Sequence, residues 1–441
     1  MIMQLLDSYT CLFLFGSLFL LLMLGMPITH AMGISGIVFA FFFWSKGSLY
    51  ALFSSTIQTM TNWSLFAVPL FTFMALVLFK TGIVEDMYDS LYRFTCGIKG
   101  GLAMCTIVVG ALMGAMTGVV AGTVVALSTI ALPQMLKYKY KEEIAIGAVL
   151  SGGTLGQLIP PSTIMIMYGT MTGVSVGQLF AAGVSSGLLL AFLYIIYIFI
   201  YCYLIKPNAC PIVPKEDRAS VKENIKHFLP VLPPFILIFL VLGSIFAGVA
   251  TPTEAAAVGC VGAVTIVLLK KRLMWKAFKE ACTETLRMTA MVGYITITAS
   301  FFGQVFIATG GKAFVTKLVT SLPFGELGLM FVLMGIVFFL GMFIDCTAIV
   351  VICAPIFVPI TQVAGFDPLW FAICFVVCIQ CAYLTPPFGF SLFYMKGVAP
   401  DGISLSKIYK SAIPFICVQL VGLTLCILFP ALALWGVSAF M

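Results

Sequence analysis

One acidic residue stands alone in an apolar part of the sequence. Asp345 is the only charged residue between positions 327 and 366. If this stretch lies in a membrane, the carboxylate marks a functional site by default, because an ionised group in lipid is costly unless it has a partner. A bound cation is one such partner. Asp345 also directly precedes residues 346–349, so an N-cap of the helix that begins there is the alternative interpretation.

Two threonines lie close to proline pairs that interrupt helices. Thr154 precedes Pro160-Pro161, and Thr385 stands directly before Pro386-Pro387. Each proline removes one backbone N–H from the helical hydrogen bonds. The threonine hydroxyls suit a Na⁺ site made of oxygen ligands. They equally suit the backbone groups that the prolines free, and the sequence leaves both interpretations open.

The composition excludes a soluble protein. Of the 441 residues, 62% are hydrophobic and 9% are charged, whereas soluble domains average about 45–50% apolar and about 25% charged. Too few polar residues remain to cover a soluble surface. The sequence therefore predicts an all-α polytopic membrane protein in contact with lipid, without a nucleic-acid partner. Most of the 14 cysteines lie in apolar runs, so we expect no disulfide framework.

Apolar runs of about 20 residues predict membrane-spanning helices. These runs lie at about 11–27, 30–45, 64–83, 182–204, 228–249, 255–269, 288–309 and 412–437.

Two further stretches predict re-entrant helical hairpins. Residues 101–136 are uncharged over 36 positions, and a straight helix of that length would extend about 54 Å, beyond a core of about 30 Å. Lysines flank both ends, which places both ends on one face and the turn near Thr117 and Gly118. Residues 327–366 repeat the pattern. Glycines spaced by four also predict a close-packing face, at Gly110, Gly114, Gly118 and Gly122.

Prolines recur at a fixed offset, which predicts that the chain consists of two structural repeats. The pairs 133 and 359, 160 and 386, and 161 and 387 are each 226 residues apart. The positive-inside rule then gives the sidedness. Nineteen of the 23 basic residues become cytoplasmic if the cytoplasmic loops are 84–100, 136–143, 205–227, 270–287 and 396–410. The two hairpins then open to opposite sides, the repeats are inverted, and the N-terminus is periplasmic.

Inverted repeats with broken helices are the architecture of secondary transporters. The sequence has no G-x-x-x-x-G-K-[ST] segment for ATP, so we expect transport driven by an ion gradient, with sodium as the coupling ion and no organic cofactor. A channel is one alternative. A membrane enzyme is another, but it would need a paired acid/base or nucleophile cluster, which Asp345 alone does not offer.

Four segments resemble the large membrane subunit, of the DctM type, of tripartite ATP-independent periplasmic (TRAP) transporters. They are PITHAMG from Pro27, MTGVVAGT from Met116, GTLGQLIPPS from Gly153 and TPTEAAAV from Thr251. The resemblance covers nearly the whole chain. It implies an elevator mechanism, sodium coupling, a separate small four-helix membrane subunit, a periplasmic substrate-binding protein, and a place in the bacterial inner membrane.

On this resemblance we assign sodium to Thr117, Gly118, Thr154, Asp345 and Thr385, and substrate to Thr123 and Ser162. The first hairpin tip of many members reads like Ser-Gly-Ser-Ser-x-x-Asp. Here Val119 and Val120 replace serines and Thr123 replaces the acid. This departure disfavours sialic acid and favours branches that handle 2-oxo acids, other small carboxylates or mannitol-like compounds. We expect a small organic acid as the solute, a C4-dicarboxylate, 2-oxo acid or similar carboxylate. A stand-alone sodium/carboxylate symporter without a binding protein is the alternative.

The predicted organisation alternates scaffold and transport parts. Residues 1–100 and 182–324 form the scaffold, residues 101–181 and 325–400 form the two transport halves, and residues 401–441 form a C-terminal helix.

Overall fold

The computed structural model describes residues 2–44, 48–95, 97–214, 232–272, 274–311, 313–314, 316, 325–400 and 402–441. Within these ranges all regular secondary structure is helical, which confirms the all-α membrane fold. Seven helices are long and apolar enough to cross a membrane. The predicted cytoplasmic loop 205–227 and the start of the span 228–249 lie partly outside the described residues.

The helices follow the predicted apolar runs and add shorter segments between them. In the first half they are α1 (Ile2–Met23), α2 (Ile28–Phe43), α3 (Ser48–Met60), α4 (Ala67–Lys80), α5 (Ile83–Thr95), α6 (Gly101–Thr117), α7 (Val120–Lys137), α8 (Glu142–Leu155), α9 (Thr163–Thr172) and α10 (Val176–Ile200). In the second half they are α11 (Leu232–Phe246), α12 (Pro252–Leu269), α13 (Trp275–Phe306), α14 (Glu326–Gly341), α15 (Cys346–Ala364), α16 (Pro368–Leu384), α17 (Phe390–Val398), α18 (Leu405–Leu428) and α19 (Pro430–Phe440).

The first predicted hairpin is present as α6 and α7, with its turn at the predicted place. Gly118 has a left-handed backbone (φ 59°) between the two helices. A Cβ at this position would lie 2.4 Å from the carbonyl oxygen of Pro161. Both the conformation and the close approach therefore require glycine.

The glycines of α6 pack directly on the backbone of α8. A Cβ on Gly114 would lie 2.0 Å from the Cα of Gly156, and one on Gly110 would lie 2.4 Å from the carbonyl carbon of Gly152. This confirms the predicted close-packing face for α6. The prediction is wrong for Gly122, which has no atom within 4 Å of its Cβ position, because α7 runs back after the turn and presents this residue to open space.

The second hairpin consists of α14 and α15. Its turn runs from Met342 to Asp345, and Asp345 is the N-cap of α15. Gly341 lies against α16, since a Cβ there would meet the Cβ of Ala382 at 2.0 Å. The predicted hairpin over residues 327–366 is therefore present.

Both predicted helix breaks are present, but the first is shorter than expected. α8 continues to Leu155 and α9 starts at Thr163, so Thr154 lies in the last helical turn and not in broken backbone. Glycines 152 and 153 stay helical there because neighbouring backbone packs against them. In the second half α16 ends at Leu384, and Thr385 is its C-cap.

The predicted C-terminal helix is two helices. The expected span 412–437 is interrupted between α18 and α19, where Phe429 has extended backbone (φ −127°, ψ 80°). Pro430 follows it, and a proline disfavours helical backbone in the residue before it. One uninterrupted helix is therefore excluded.

The ion pairs gather the predicted cytoplasmic segments at one end of the molecule. Four of the six ion pairs among the described residues join two of the predicted cytoplasmic loops, and the other two join Lys80, in the last turn of α4, to the loop 270–287; their N–O distances are 2.8 to 3.5 Å. They are Lys80 with Glu280 and Glu284, Glu143 with Lys206, Asp86 with Lys270 and Arg272, and Glu142 with Lys407. The loop between α7 and α8, at the open end of the first hairpin, is one of the segments joined by these ion pairs. The segments that the charge bias placed together thus lie together.

One cysteine pair departs from the sequence prediction. Cys202 and Cys210 are joined by a disulfide just beyond α10. The chain turns back there, and the N–H of Lys141 donates to the carbonyl of Ala209 over 2.9 Å. The turn brings together two cysteines that are eight residues apart.

Candidate functional site

The two hairpin tips meet around one cavity of about 500 Å³. Its wall includes residues 118–121 of the first tip and Asp345, Thr347 and Ala348 of the second. The beginnings of α9 and α17, which follow the two helix breaks, complete that side. We call this space the tip cavity.

Each tip is held by the broken segment of its own half. In the first half the Thr163 hydroxyl donates to the carbonyl of Gly118 over 3.5 Å. In the second half the N–H of Phe388 donates to the carbonyl of Met342 over 3.2 Å. The two halves therefore build corresponding contacts at the cavity.

Three hydroxyls assigned from the sequence lie below the cavity wall. The Thr117 and Thr123 hydroxyl oxygens are 3.0 Å apart, and the Thr123 hydroxyl also donates to the carbonyl of Val119 over 3.1 Å. Ser162 is fully buried, and its hydroxyl oxygen accepts from the N–H of Met165 at the start of α9. These contacts stabilise the first tip and the first break. Contact of Thr123 or Ser162 with substrate, and of Thr117 with sodium, remains a prediction.

Asp345 is the N-cap of α15 and also lines the tip cavity. One carboxylate oxygen accepts from the N–H of Thr347 over 3.0 Å, which is an N-cap. The residue is half-buried and lines the tip cavity. The cap uses one carboxylate oxygen, so a cation role for Asp345 is compatible with this geometry and stays a prediction.

Thr154 and Thr385 donate their hydroxyl protons to their own helices. The Thr154 hydroxyl donates to the carbonyl of Ser151 over 3.0 Å, and that of Thr385 donates to the carbonyl of Cys381 over 2.7 Å. Both residues are buried. A hydroxyl that donates keeps lone pairs with which to accept, so a sodium role is compatible with this geometry. Neither threonine lines the tip cavity.

Two polar residues of the tip cavity escaped the sequence analysis. Gln157 and Thr72 are buried, and the Gln157 Oε1 and the Thr72 Oγ1 have no hydrogen-bond partner in the protein. Buried polar atoms are nearly always paired, so these two point to a ligand or ordered water. Gln157 lies inside the GTLGQLIPPS segment, between the glycine and the prolines, which was a usable signal. Thr72 lies in an apolar run without any local signal.

The tip cavity carries a single charge. Asp345 is the only charged side chain among its described lining residues. In the described part of the chain no three His, Cys, Asp or Glu side chains cluster. A cation site here would therefore consist of hydroxyl, amide and carbonyl oxygens together with one carboxylate, which suits a hard cation such as Na⁺.

Comparison with known proteins agrees with this architecture. Residues 15–432 match the family model described as "Tripartite ATP-independent periplasmic transporter, DctM component". The chain is 32% identical over 405 residues to the C4-dicarboxylate TRAP transporter large permease protein DctM of Pseudomonas aeruginosa, which covers 92% of this chain and 93% of the relative. It is 30% identical over 374 residues to the ectoine/5-hydroxyectoine TRAP transporter large permease protein UehC of Ruegeria pomeroyi, with 84% of this chain and 85% of the relative covered.

A solved structure shares the fold. The YdaH transporter of Alcanivorax borkumensis superposes with a TM-score of 0.65 at 15% sequence identity, over 99% of both chains.

The match to the DctM model covers nearly the whole chain, and that family consists of transporter permeases and not of enzymes. The protein is thus a multi-pass inner-membrane protein that depends on a periplasmic binding protein. It belongs to the DctM family, the large membrane subunits of tripartite ATP-independent periplasmic transporters.

Proposed function

We propose that this subunit imports a small organic acid together with Na⁺. The acid is a C4-dicarboxylate, a 2-oxo acid or a similar carboxylate, delivered by the periplasmic binding protein, and a separate small four-helix membrane subunit completes the system. The meeting of both hairpin tips and both helix breaks around one cavity carries this proposal. Relatives named for C4-dicarboxylate and for ectoine support a small polar solute.

The charge of the tip cavity supports coupling to a cation. A carboxylate solute entering this space meets Asp345 and no basic side chain among the described lining residues. Like charges at close range oppose each other strongly where water is scarce. A sodium ion beside Asp345 would cancel the repulsion. Sodium and solute would therefore bind together more tightly than either binds alone, which is the basis of symport.

The composition of the tip-cavity wall supports a movement of the transport halves against the scaffold. One side consists of the tips with α9 and α17, all from the predicted transport halves. The other side consists of Thr29, Thr72 and residues 288–295 of α13, from the predicted scaffold. We propose that the transport halves slide along the scaffold and carry the solute across, as in an elevator mechanism.

Transport in proteoliposomes tests the proposed function. The large subunit with its small partner is reconstituted, and uptake of labelled succinate and labelled ectoine is followed with the matching binding protein outside. We expect uptake only under an inward Na⁺ gradient and no response to ATP. Uptake that continues in sodium-free buffer under a proton gradient alone would contradict sodium coupling. Uptake of equal rate without a binding protein would favour the stand-alone symporter.

Cysteine labelling tests the opposite orientation of the two hairpins. A membrane-impermeant thiol reagent should modify cysteines placed at 137–141 only from the cytoplasm, because the ion pairs put this segment with the other basic loops. Cysteines at 361–367, beyond the open end of the second hairpin, should react only from the periplasm. Wild-type protein provides the background from native thiols. Labelling of both segments from one side would refute the inverted repeat.

The two threonines test the location of the sodium sites. Thr154→Val and Thr385→Val keep the side-chain shape but remove one oxygen each. If that oxygen is a ligand worth about 1 kcal/mol, the half-saturating Na⁺ concentration should rise about five-fold. Thr265→Val is the matched control, since its exposed hydroxyl also donates to its own helix, at the carbonyl of Val261. Unchanged sodium dependence with lower thermal stability would assign the threonines to the backbone alone.

A further inference from the structure

A second cavity lies along the same seam between scaffold and transport halves. Its volume is about 440 Å³, and it is bounded by α3 and α13 on the scaffold side and by the end of α9 and α15 on the transport side. Four amide side chains reach its wall, those of Gln58, Asn62, Gln304 and Gln362. We call it the amide cavity. It shares no described lining residue with the tip cavity.

The two cavities follow each other along the same helices. On α13 the wall passes from Val292 at the tip cavity to Gly303 at the amide cavity, and on α15 it passes from Thr347 to Val358. Each step is eleven residues, or about 16 Å at helical rise. The two cavities therefore lie one beyond the other along both a scaffold helix and a transport helix.

The amide cavity is polar without being charged. No Asp, Glu, Lys, Arg or His occurs among its described lining residues, whereas hydroxyls of Ser55, Thr59 and Ser300 join the four amides. Amide N–H groups and hydroxyls bind carboxylate, carbonyl and hydroxyl oxygens without the desolvation cost of a buried cation. Lipid chains would gain nothing from such a lining. The wall therefore suits a small, oxygen-rich solute.

One buried hydroxyl in this wall lacks a partner. Ser55 is 1% exposed, and its Oγ has no hydrogen bond within the protein. An unpaired buried hydroxyl costs about 1–3 kcal/mol, so a partner is expected in the cavity.

We propose that the amide cavity is a second binding site for the transported solute, which it holds through hydrogen bonds to the solute's oxygen atoms. This inference rests on the proposed function. The solute occupies the amide cavity at one stage of transport and the tip cavity, beside Asp345 and Na⁺, at another. Because the amide cavity has no charge, its solute binding does not depend on sodium.

Paired glutamine substitutions test the second site. Gln304→Leu combined with Gln362→Leu keeps the side-chain volume nearly constant and removes two amides from the wall. In the proteoliposome assay with labelled succinate and labelled ectoine, the KM of the transported solute should rise about ten-fold, the loss expected from hydrogen bonds to a charged group. The half-saturating Na⁺ concentration and the thermal midpoint should not change. Gln178→Leu is the matched control, since Gln178 is exposed and lines neither cavity.

A second variant blocks the site after folding. Ser300→Cys is a small change, and reaction of the folded protein with a bulky maleimide should then stop uptake, while identically treated wild type stays active. Wild-type uptake with an unchanged KM in the double variant and full activity of the blocked protein would overturn the second site and show that the cavity holds only water. Absence of sodium-driven wild-type uptake of both solutes would instead contradict the proposed function itself.

Discussion

Replacing Asp345 by Asn should abolish sodium-driven uptake while the protein still folds. Asparagine caps a helix about as well as aspartate, so the hydrogen bond to the N–H of Thr347 can be kept. The negative charge that faces the tip cavity is lost. Breaking a buried charge pair costs about 3–5 kcal/mol; since Asp345 is only half-buried, we expect the lower end of this range, a fall in uptake on the order of 100-fold. Uptake in proteoliposomes and the thermal midpoint in detergent measure the two effects separately.

Asp367→Asn is the matched control for this experiment. Asp367 is also an aspartate N-cap, with its carboxylate accepting from the N–H of Trp370 over 2.7 Å, but it is exposed and lines neither cavity. Its replacement should leave uptake near the wild-type rate. Near-normal uptake by Asp345→Asn would show that Asp345 is a cap alone, and the cation site would have to be sought elsewhere.

Gly114→Ala should cause a large loss of stability of the first transport half. The new Cβ would lie 2.0 Å from the Cα of Gly156, and backbone atoms cannot rotate away as a side chain would. Overpacking of this kind costs about 3 kcal/mol or more. We expect a clear drop of the thermal midpoint in detergent and reduced uptake, since α6 and α8 must separate.

Gly122→Ala has the opposite expected sign. No atom lies within 4 Å of its Cβ position, and alanine favours a helix over glycine by up to about 1 kcal/mol. The thermal midpoint should stay constant or rise. Equal destabilisation by both substitutions would mean that the methyl acts through the helix itself and not through contact between α6 and α8.

The hairpins were predictable because charge and length are strong signals in a membrane protein. An uncharged stretch of 36 residues with lysines at both ends is expected to enter the membrane and return to the side from which it came. The left-handed turn at Gly118 follows from the same stretch. The end of α8 was less predictable. Whether glycines 152 and 153 break a helix depends on the backbone that packs against them, and no local sequence signal carries that contact.

The sequence predicted the position of the site better than it predicted which residues line it. Asp345 could be found because it is a lone charge among apolar residues. Ser162 stands in a motif that resembles the family and Thr123 stands where the chain departs from the family's hairpin tip, yet the hydroxyls of both lie beneath the cavity wall. Thr72 was missed because a single threonine in an apolar helix is common. Thr72 reaches the tip cavity only because α4 packs beside the hairpin tips. Local sequence spacing does not predict long-range packing of this kind.

The single charge of the tip cavity has an electrical consequence. If Asp345 moves with the transport halves, the empty carrier returns outward as a negative body, whereas the carrier loaded with Na⁺ moves inward with that charge neutralised. A charge that crosses the whole membrane field gains or loses about 2.3 kcal/mol per 100 mV. An inside-negative membrane voltage therefore speeds the empty return, whereas each solute carboxylate that no further Na⁺ balances opposes the loaded stroke. The lone carboxylate thus makes the turnover of the carrier respond to voltage, in addition to the sodium gradient.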